Sequence, residues 1–317
     1  MQKDKFGPCA PSRIPLLSND LISMLSGGVA ATVSRTAVSP LERMKIIFQV
    51  QNNKEYTSLT STLVKIWNRE GLIGFFRGNG TNCLRAFPYG AVQFATFNML
   101  KQRALKNRSH QNLENHERLL FGAIAGAASC ATTYPLDIAR TRLSIETAGL
   151  TSRSLAINNV ANNSLKVKPL TLWSTLLYIV QHEGGYPALY NGLPATLLNV
   201  VPYVSICFFT FEFCKQKFFS NADLTAFQKL FLGGFTGIIG QTLTFPADVL
   251  RRRFQVNRIP GIGHNYKNIK SAIFHIYKTE GINGFFRGYS SNMLKIIPVM
   301  SITWYTYETV SKMLHDL

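Results

Sequence analysis

The sequence predicts an all-α membrane protein: three repeats, each of two spanning helices with a short helix between them. Two observations carry this expectation. Six stretches, Leu21–Ser34, Ala86–Leu100, Leu119–Leu136, Gly184–Phe211, Leu230–Ala247 and Ile296–Tyr307, contain no Asp, Glu, Lys or Arg. A proline followed by an acid and then a base recurs three times, as Pro40-Leu41-Glu42-Arg43-Met44-Lys45, Pro135-Leu136-Asp137-Ile138-Ala139-Arg140 and Pro246-Ala247-Asp248-Val249-Leu250-Arg251. Recurrence of one figure at wide, similar spacing marks an internal repeat.

Bulk composition narrows the class. The 317 residues carry 34 bases against 16 acids, a net charge of +18, which attracts polyanions. Yet only 16% of residues are charged and 46% are hydrophobic, whereas soluble domains, nucleic-acid binders included, carry about a quarter charged residues. No nucleic-acid partner is expected. Several charge-free windows fall short of the roughly 20 residues that span a bilayer. Their flanks extend them and bring Arg35, Arg85 and Lys295 inside the helices. A charge at membrane depth faces a polar cavity or a partner, so amphipathic helices around water explain the mild hydropathy. A soluble all-α repeat protein is the alternative.

Chemistry is not expected. Cys9, Cys83, Cys130, Cys207 and Cys214 form no CxxC pair and are odd in number, so they read as small apolar residues in a reducing compartment. The six histidines show no metal-ligand or triad-like spacing, and no phosphate-loop pattern follows a glycine-rich run. No catalytic residue, cofactor or metal is assigned.

In chain order, residues 1–17 form an N-terminal extension and the repeats cover 18–115, 116–222 and 223–317. The extension has Lys3, Lys5 and Arg13 but also Asp4, Gly7 and three prolines, with no apolar core, and resembles neither a secretory signal nor a transit peptide. Small residues, Gly27, Gly28, Ala30 and Ala31, then Gly122 with Gly126 and Gly233 with Gly237, let helices approach closely. After each proline motif comes a polar link, containing Tyr56 in repeat one, and then a short helix. In repeat one the helix is Ser58–Glu70, with Leu59, Leu63, Ile66 and Trp67 on one side. It ends in Glu70-Gly71-Leu72-Ile73-Gly74-Phe75-Phe76-Arg77-Gly78, copied as Glu280-Gly281-Ile282-Asn283-Gly284-Phe285-Phe286-Arg287-Gly288 and more loosely from Glu183 to Gly192. The even-numbered spanning helices share a proline of their own: Pro88, Pro202 and Pro298. Repeat two carries a longer link, Ala148–Pro169, rich in Ser, Thr and Asn, which reads as an extramembrane loop.

The proline motif on each odd helix, followed by an acid-Gly stretch ending in aromatic-base-Gly, resembles the mitochondrial carrier family over residues 18–315. That resemblance implies six tilted transmembrane helices and three short matrix helices in a threefold pseudo-symmetric bundle, with alternating access to a central site in the inner mitochondrial membrane. Both termini would face the cytosolic, intermembrane-space side of a monomer. Proline removes a backbone donor and kinks a helix, which brings the odd helices together on the axis. The family pairing implies a matrix gate of Glu42 with Arg140, Asp137 with Arg251 and Asp248 with Lys45, braced by Gln49 and Gln255, with Ser144 departing at the equivalent position. Exposed pairs within one helix, worth about 0.2–0.5 kcal/mol each, would leave the prolines and the threefold recurrence unexplained. The opposite, cytosolic gate is incomplete. Phe211-Glu212-Phe213-Cys214-Lys215 matches, but Asn98 replaces the acid before Lys101, and Lys312 stands one position late after Glu308. Glu308 with Lys101 is the one expected pair there, so a cytosol-open resting state is expected. Cardiolipin is expected at Gly78, Gly192 and Gly288, where backbone N–H groups open the even helices.

Positions that differ between repeats identify the substrate site. Three residues before the even-helix prolines stand Arg85, Asn199 and Lys295; five before the odd-helix prolines stand Arg35, Cys130 and Gln241. Arg35, Arg85 and Lys295 are expected to place three cations in one cavity without nearby acids, suited to a small anion bearing phosphate or sulfate. Arg35, Arg85 and the run Val200-Val201-Pro202-Tyr203 resemble the adenine nucleotide, coenzyme A and adenosine phosphosulfate branch of fungal carriers, in which Tyr203 would stack an adenine. Asn199-Val200 departs from that branch, which usually has Gly before the aliphatic residue. The expected substrate is an adenosine phosphosulfate or an ADP- or AMP-like nucleotide, with coenzyme A next; an uncoupling-type anion or proton leak is the alternative from another class.

Overall fold

The computed structural model describes residues 19–51, 58–106, 114–146, 171–219, 226–257, 259 and 266–315. The N-terminal extension, the link around Tyr56 and the repeat-two link 148–169 lie outside the described residues. Among the described residues there are eleven α-helices and no strand. Repeat one contains α1 (Asn19–Ala37), α2 (Ser39–Val50), α3 (Leu59–Gly74) and α4 (Asn79–Leu105). Repeat two contains α5 (Asn115–Thr132), α6 (Tyr134–Glu146), α7 (Leu172–His182) and α8 (Leu193–Phe219). Repeat three contains α9 (Ala226–Gln255), α10 (Ile269–Glu280) and α11 (Tyr289–His315). Short 3-10 turns, Tyr186–Tyr190 and Ile282–Phe286, follow α7 and α10.

The odd-helix prolines act unequally. Pro40 opens α2 after a break at Val38, and Pro135 opens α6 after a break at Thr133, with α5 and α6 bent by 61°. Proline suits the first helical turn because its missing donor would be unpaired there anyway. Pro246, also expected to mark a kink, lies within α9, which runs without a break from Ala226 to Gln255. The short helices begin at side-chain caps. Ser58 accepts from the Ser61 amide at 3.2 Å and Thr171 from the Ser174 amide at 3.4 Å, each answered by the Ser hydroxyl three residues on. Gly71, with φ +66°, interrupts α3 directly after Glu70, where the sequence places its end.

Around the bundle the long segments neighbour one another in the order α1, α4, α5, α8, α9, α11 and back to α1. The outer surface carries large exposed apolar side chains, among them Phe94, Phe209, Phe231, Ile297 and Tyr305. Soluble monomers rarely expose so much contiguous apolar area. By length and composition, Tyr186–Phe218 is long and apolar enough to cross a membrane, and the bent α5–α6 pair passes as a second span.

The even helices begin at Gly78, Gly192 and Gly288, whose φ values of +79°, +90° and +81° favour glycine. Each presses on the odd helix of the next repeat. A Cβ at Gly78 would stand 3.1 Å from the Arg140 carbonyl oxygen, at Gly192 2.9 Å from Phe254 Cβ, and at Gly288 3.1 Å from the Lys45 carbonyl oxygen. The repeats therefore interlock one-to-two, two-to-three and three-to-one.

Candidate functional site

The C-terminal halves of the odd segments converge and close one end of the bundle with ion pairs. Glu42 meets Arg140 at 2.8 Å, Lys45 meets Asp248 at 2.7 Å, and Asp137 meets Arg251. Each pair joins two repeats, so three pairs complete a ring. Lys45, Asp137, Arg140 and Asp248 are buried, which strengthens the attraction but also carries a desolvation penalty. Gln49 donates to Asp248 at 3.0 Å, and Gln255 donates to Asp137 at 2.6 Å. The Gln255 carbonyl oxygen in turn accepts from Thr141 at 2.7 Å and Arg252 at 2.9 Å.

The third position breaks the pattern. The Ser144 hydroxyl donates to its own helix at the Arg140 carbonyl, 2.9 Å away, and is too short to reach Glu42. Ser144→Gln is expected to supply the missing donor to Glu42 and raise the melting temperature in detergent by roughly 2–4 °C, as about 1 kcal/mol would. An unchanged melting temperature would show that the glutamine does not reach.

A second ring lies beside the first and was not legible beforehand. Arg43 forks onto Glu70 with two contacts of 2.8 Å, and its Nε donates to the Ser144 carbonyl at 3.0 Å. Arg142 forks onto Glu183 and donates to the Gln255 carbonyl at 3.3 Å. Arg253 forks onto Glu280 at 2.6 and 2.7 Å and donates to the Gln49 carbonyl at 3.1 Å. Each guanidinium thus ties a short helix of its own repeat to the next repeat's helix end, using the bidentate geometry that Arg favours. Arg142 and Arg253 both stand seven residues after their prolines, but Ile47 holds that place in repeat one. Arg43, one turn earlier, takes over, and this register change hid the recurrence.

Above the ring, Arg35, Tyr203 and Lys295 line one cavity of about 270 Å³ together with Val38, Glu42 and Gln241. Arg35 also donates to the Asn82 carbonyl at 3.3 Å. The expectation of three cations free of acids is corrected. Arg85 lies 2.8 Å from Asp137 and donates to Thr133 at 3.3 Å, while Lys295 lies 3.4 Å from Glu42. The reason is helical reach: three residues before the even-helix proline, each side chain extends onto the odd segment of the next repeat. Asn199 does the same with a shorter side chain, donating to the Thr244 carbonyl at 3.1 Å. It is buried there, and Val200 packs near Gly126 of α5. Of the α8 residues expected at the site, Tyr203 is the one that lines this cavity. A second, mostly apolar cavity of about 520 Å³, lined by Gly27, Gly233, Thr303, Trp304 and Tyr307, shares Val299 and Met300 with the first.

The opposite end stands open. The expected pair of Glu308 with Lys101 is not formed; Glu308 pairs instead with Lys312 of its own helix at 3.0 Å, both exposed, and Lys101 is exposed. The ring at the other end draws the helices together there, leaving the C-terminal turns of α4 and α11 in the open. Glu212 and Lys215, half-buried on α8, take part in no ion pair among the described residues.

A three-repeat helical bundle, sealed at one end by ion pairs between repeats and enclosing a charged cavity, has the form of a membrane transporter. A family model described as mitochondrial carrier protein matches residues 18–108, 111–222 and 222–317, and the chain belongs to the mitochondrial carrier family. Members of that family are transporters of small anionic solutes. An uncharacterized mitochondrial carrier of Saccharomyces cerevisiae is 39% identical over 301 residues, covering 91% of each chain. A mitochondrial adenine nucleotide transporter of Arabidopsis thaliana is 35% identical, covering 92% of this chain and 86% of its own. A mitochondrial coenzyme A transporter of Xenopus tropicalis is 32% identical, covering 94% and 86%.

Proposed function

We propose that the protein crosses the inner mitochondrial membrane six times and exchanges an adenine-nucleotide-type anion by alternating access. The observation that supports this reading best is the cavity shared by Arg35, Lys295 and Tyr203 directly above the ring of ion pairs. The two bases suit phosphate or sulfate oxygens, and the tyrosine ring suits a purine face. In this reading the ring is the matrix gate, braced by Gln49 and Gln255, and the open end faces the intermembrane space with both termini. Lys295 and Arg85 each hold a gate acid, Glu42 and Asp137. A bound anion competes for those bases, loosens the acids and thereby couples occupancy to opening. A ligand shifts such an equilibrium only through its differential affinity for the two states.

Coenzyme A is the second reading, favoured by the apolar cavity that continues from the charged one, with room for a substrate extending beyond its nucleotide. Cardiolipin phosphates would sit at the N-terminal ends of α4, α8 and α11 beside Gly78, Gly192 and Gly288, where helix dipoles favour anions. Purified protein in liposomes is expected to take up labelled ADP or coenzyme A only when a counter-substrate is loaded inside. Uptake into empty vesicles, or conductance without a trans substrate, would favour a leak pathway and overturn the exchange mechanism.

A further inference from the structure

Asn292 lies on α11 one turn below Lys295 and lines the charged cavity. Its side chain is 0% exposed, and neither its amide nitrogen nor its carbonyl oxygen has a hydrogen-bond partner. Buried side-chain amides are almost always paired, so each exception calls for an explanation. Repeat two shows what a purely structural residue does at this position. Asn82, Thr196 and Asn292 each stand four residues after the glycine that opens an even helix, their backbone N–H groups donating to the carbonyls of Gly78, Gly192 and Gly288. Thr196 turns its hydroxyl onto the Gly192 carbonyl at 3.0 Å and is satisfied within its own helix. Asn292 instead holds a donor and an acceptor side by side at the floor of a site that already contains two cations and a tyrosine ring.

We infer that Asn292 reads the edge of an adenine base, its carbonyl oxygen accepting from the exocyclic N6 amine and its amide donating to N7. This rests on the adenine-nucleotide reading above and holds equally for coenzyme A, which carries the same base. A carboxamide is the side chain whose paired donor and acceptor match those two adjacent atoms of adenine. Arg35 and Lys295 hold the phosphates, and Tyr203 covers the ring. Hypoxanthine presents acceptors at both positions, and a 7-deaza base removes one. Either change leaves part of a buried amide unpaired, which is how a polar site rejects a near-isostere.

The test is competition against labelled ADP uptake in liposomes, with unlabelled ADP, IDP and 7-deaza-ADP as inhibitors. Wild-type protein is expected to prefer ADP over both analogues by roughly 10-fold, the scale of one bidentate base contact. In Asn292→Ala, and in Asn292→Thr, which copies the residue of repeat two, the three inhibitors become equally effective. Inhibition by IDP itself should stay near its wild-type value. If transport by a variant is too slow to assay, the same ratios are read from thermal stabilisation of the detergent-purified protein by each nucleotide. Equal inhibition of the wild type by 7-deaza-ADP, or an ADP preference retained in both variants, overturns the inference while leaving nucleotide exchange intact. No competition by any adenine nucleotide or by coenzyme A overturns the functional reading itself.

Discussion

Replacing Asp137 by asparagine is expected to destabilise the protein more than any other single change at the ring. The carboxylate is 0% exposed and serves Arg85 at 2.8 Å, Arg251, the Gln255 amide at 2.6 Å and, at 3.8 Å, Arg252. Asparagine keeps the shape but removes the charge, leaving clustered guanidinium groups without their anion. Removing one partner of a buried pair costs about 3–5 kcal/mol, so the melting temperature in detergent should fall by on the order of 10 °C. Asp248→Asn strands only Lys45 and Gln49, and Glu42→Gln strands Arg140 and Lys295; both should fall less. Equal losses at the three acids would mean that the extra arginines around Asp137 contribute nothing.

Arg35→Ala is expected to reduce nucleotide exchange at sub-saturating substrate by roughly one to two orders of magnitude while leaving the melting temperature close to that of the wild type. Arg35 faces the cavity, and its hydrogen bond is to a single backbone carbonyl at 3.3 Å, so the fold depends little on it. Each charge-assisted hydrogen bond lost from a phosphate is worth roughly 1.5–3 kcal/mol, and the half-saturation concentration should rise on the order of 10- to 100-fold. Arg35→Lys should recover part of the activity, because lysine retains the charge without the planar fork. Undiminished uptake by Arg35→Ala, measured against a loaded counter-substrate, would remove Arg35 from the site. Arg85→Ala should also reduce uptake, but with a stability loss, because its guanidinium is held by Asp137.

How far the residues could be read in advance follows from how local each signal is. The three proline motifs are contiguous hexapeptides, and the resemblance to the carrier family supplies which acid pairs with which base across repeats. Gln49 and Gln255 stand nine residues after their prolines, where the family resemblance places a brace; that they donate to Asp248 and Asp137 is visible only in the structure. Arg43 escaped because it serves its glutamate from one turn earlier than Arg142 and Arg253 do. Arg85, Lys295 and Asn199 were recognised as variable positions, but the acids and carbonyl they reach belong to the next repeat. Such reach depends on helix separation, which no spacing within one helix encodes. Asn292 escaped for the opposite reason: asparagine also stands at the equivalent position 82, and what marks Asn292 is its complete burial without a partner on the floor of the charged cavity, which spacing does not encode.

The guanidinium ring bears on how the chain is made. Arg253 caps the Gln49 carbonyl, a contact separated by 204 residues, and Gly288 packs on the Lys45 carbonyl across a still longer stretch of chain. Buried backbone acceptors need partners, and the Gln49 carbonyl, in the last turn of α2 where no further helical amide reaches it, receives its guanidinium from the last repeat to leave the ribosome. The first repeat therefore waits, incompletely satisfied, throughout synthesis and insertion. Because the links run one-to-two, two-to-three and three-to-one, a chain truncated after either of the first two repeats has no closed arrangement available to it. Cooperative assembly follows from that topology: the last repeat supplies the contacts that link all three units into one closed ring.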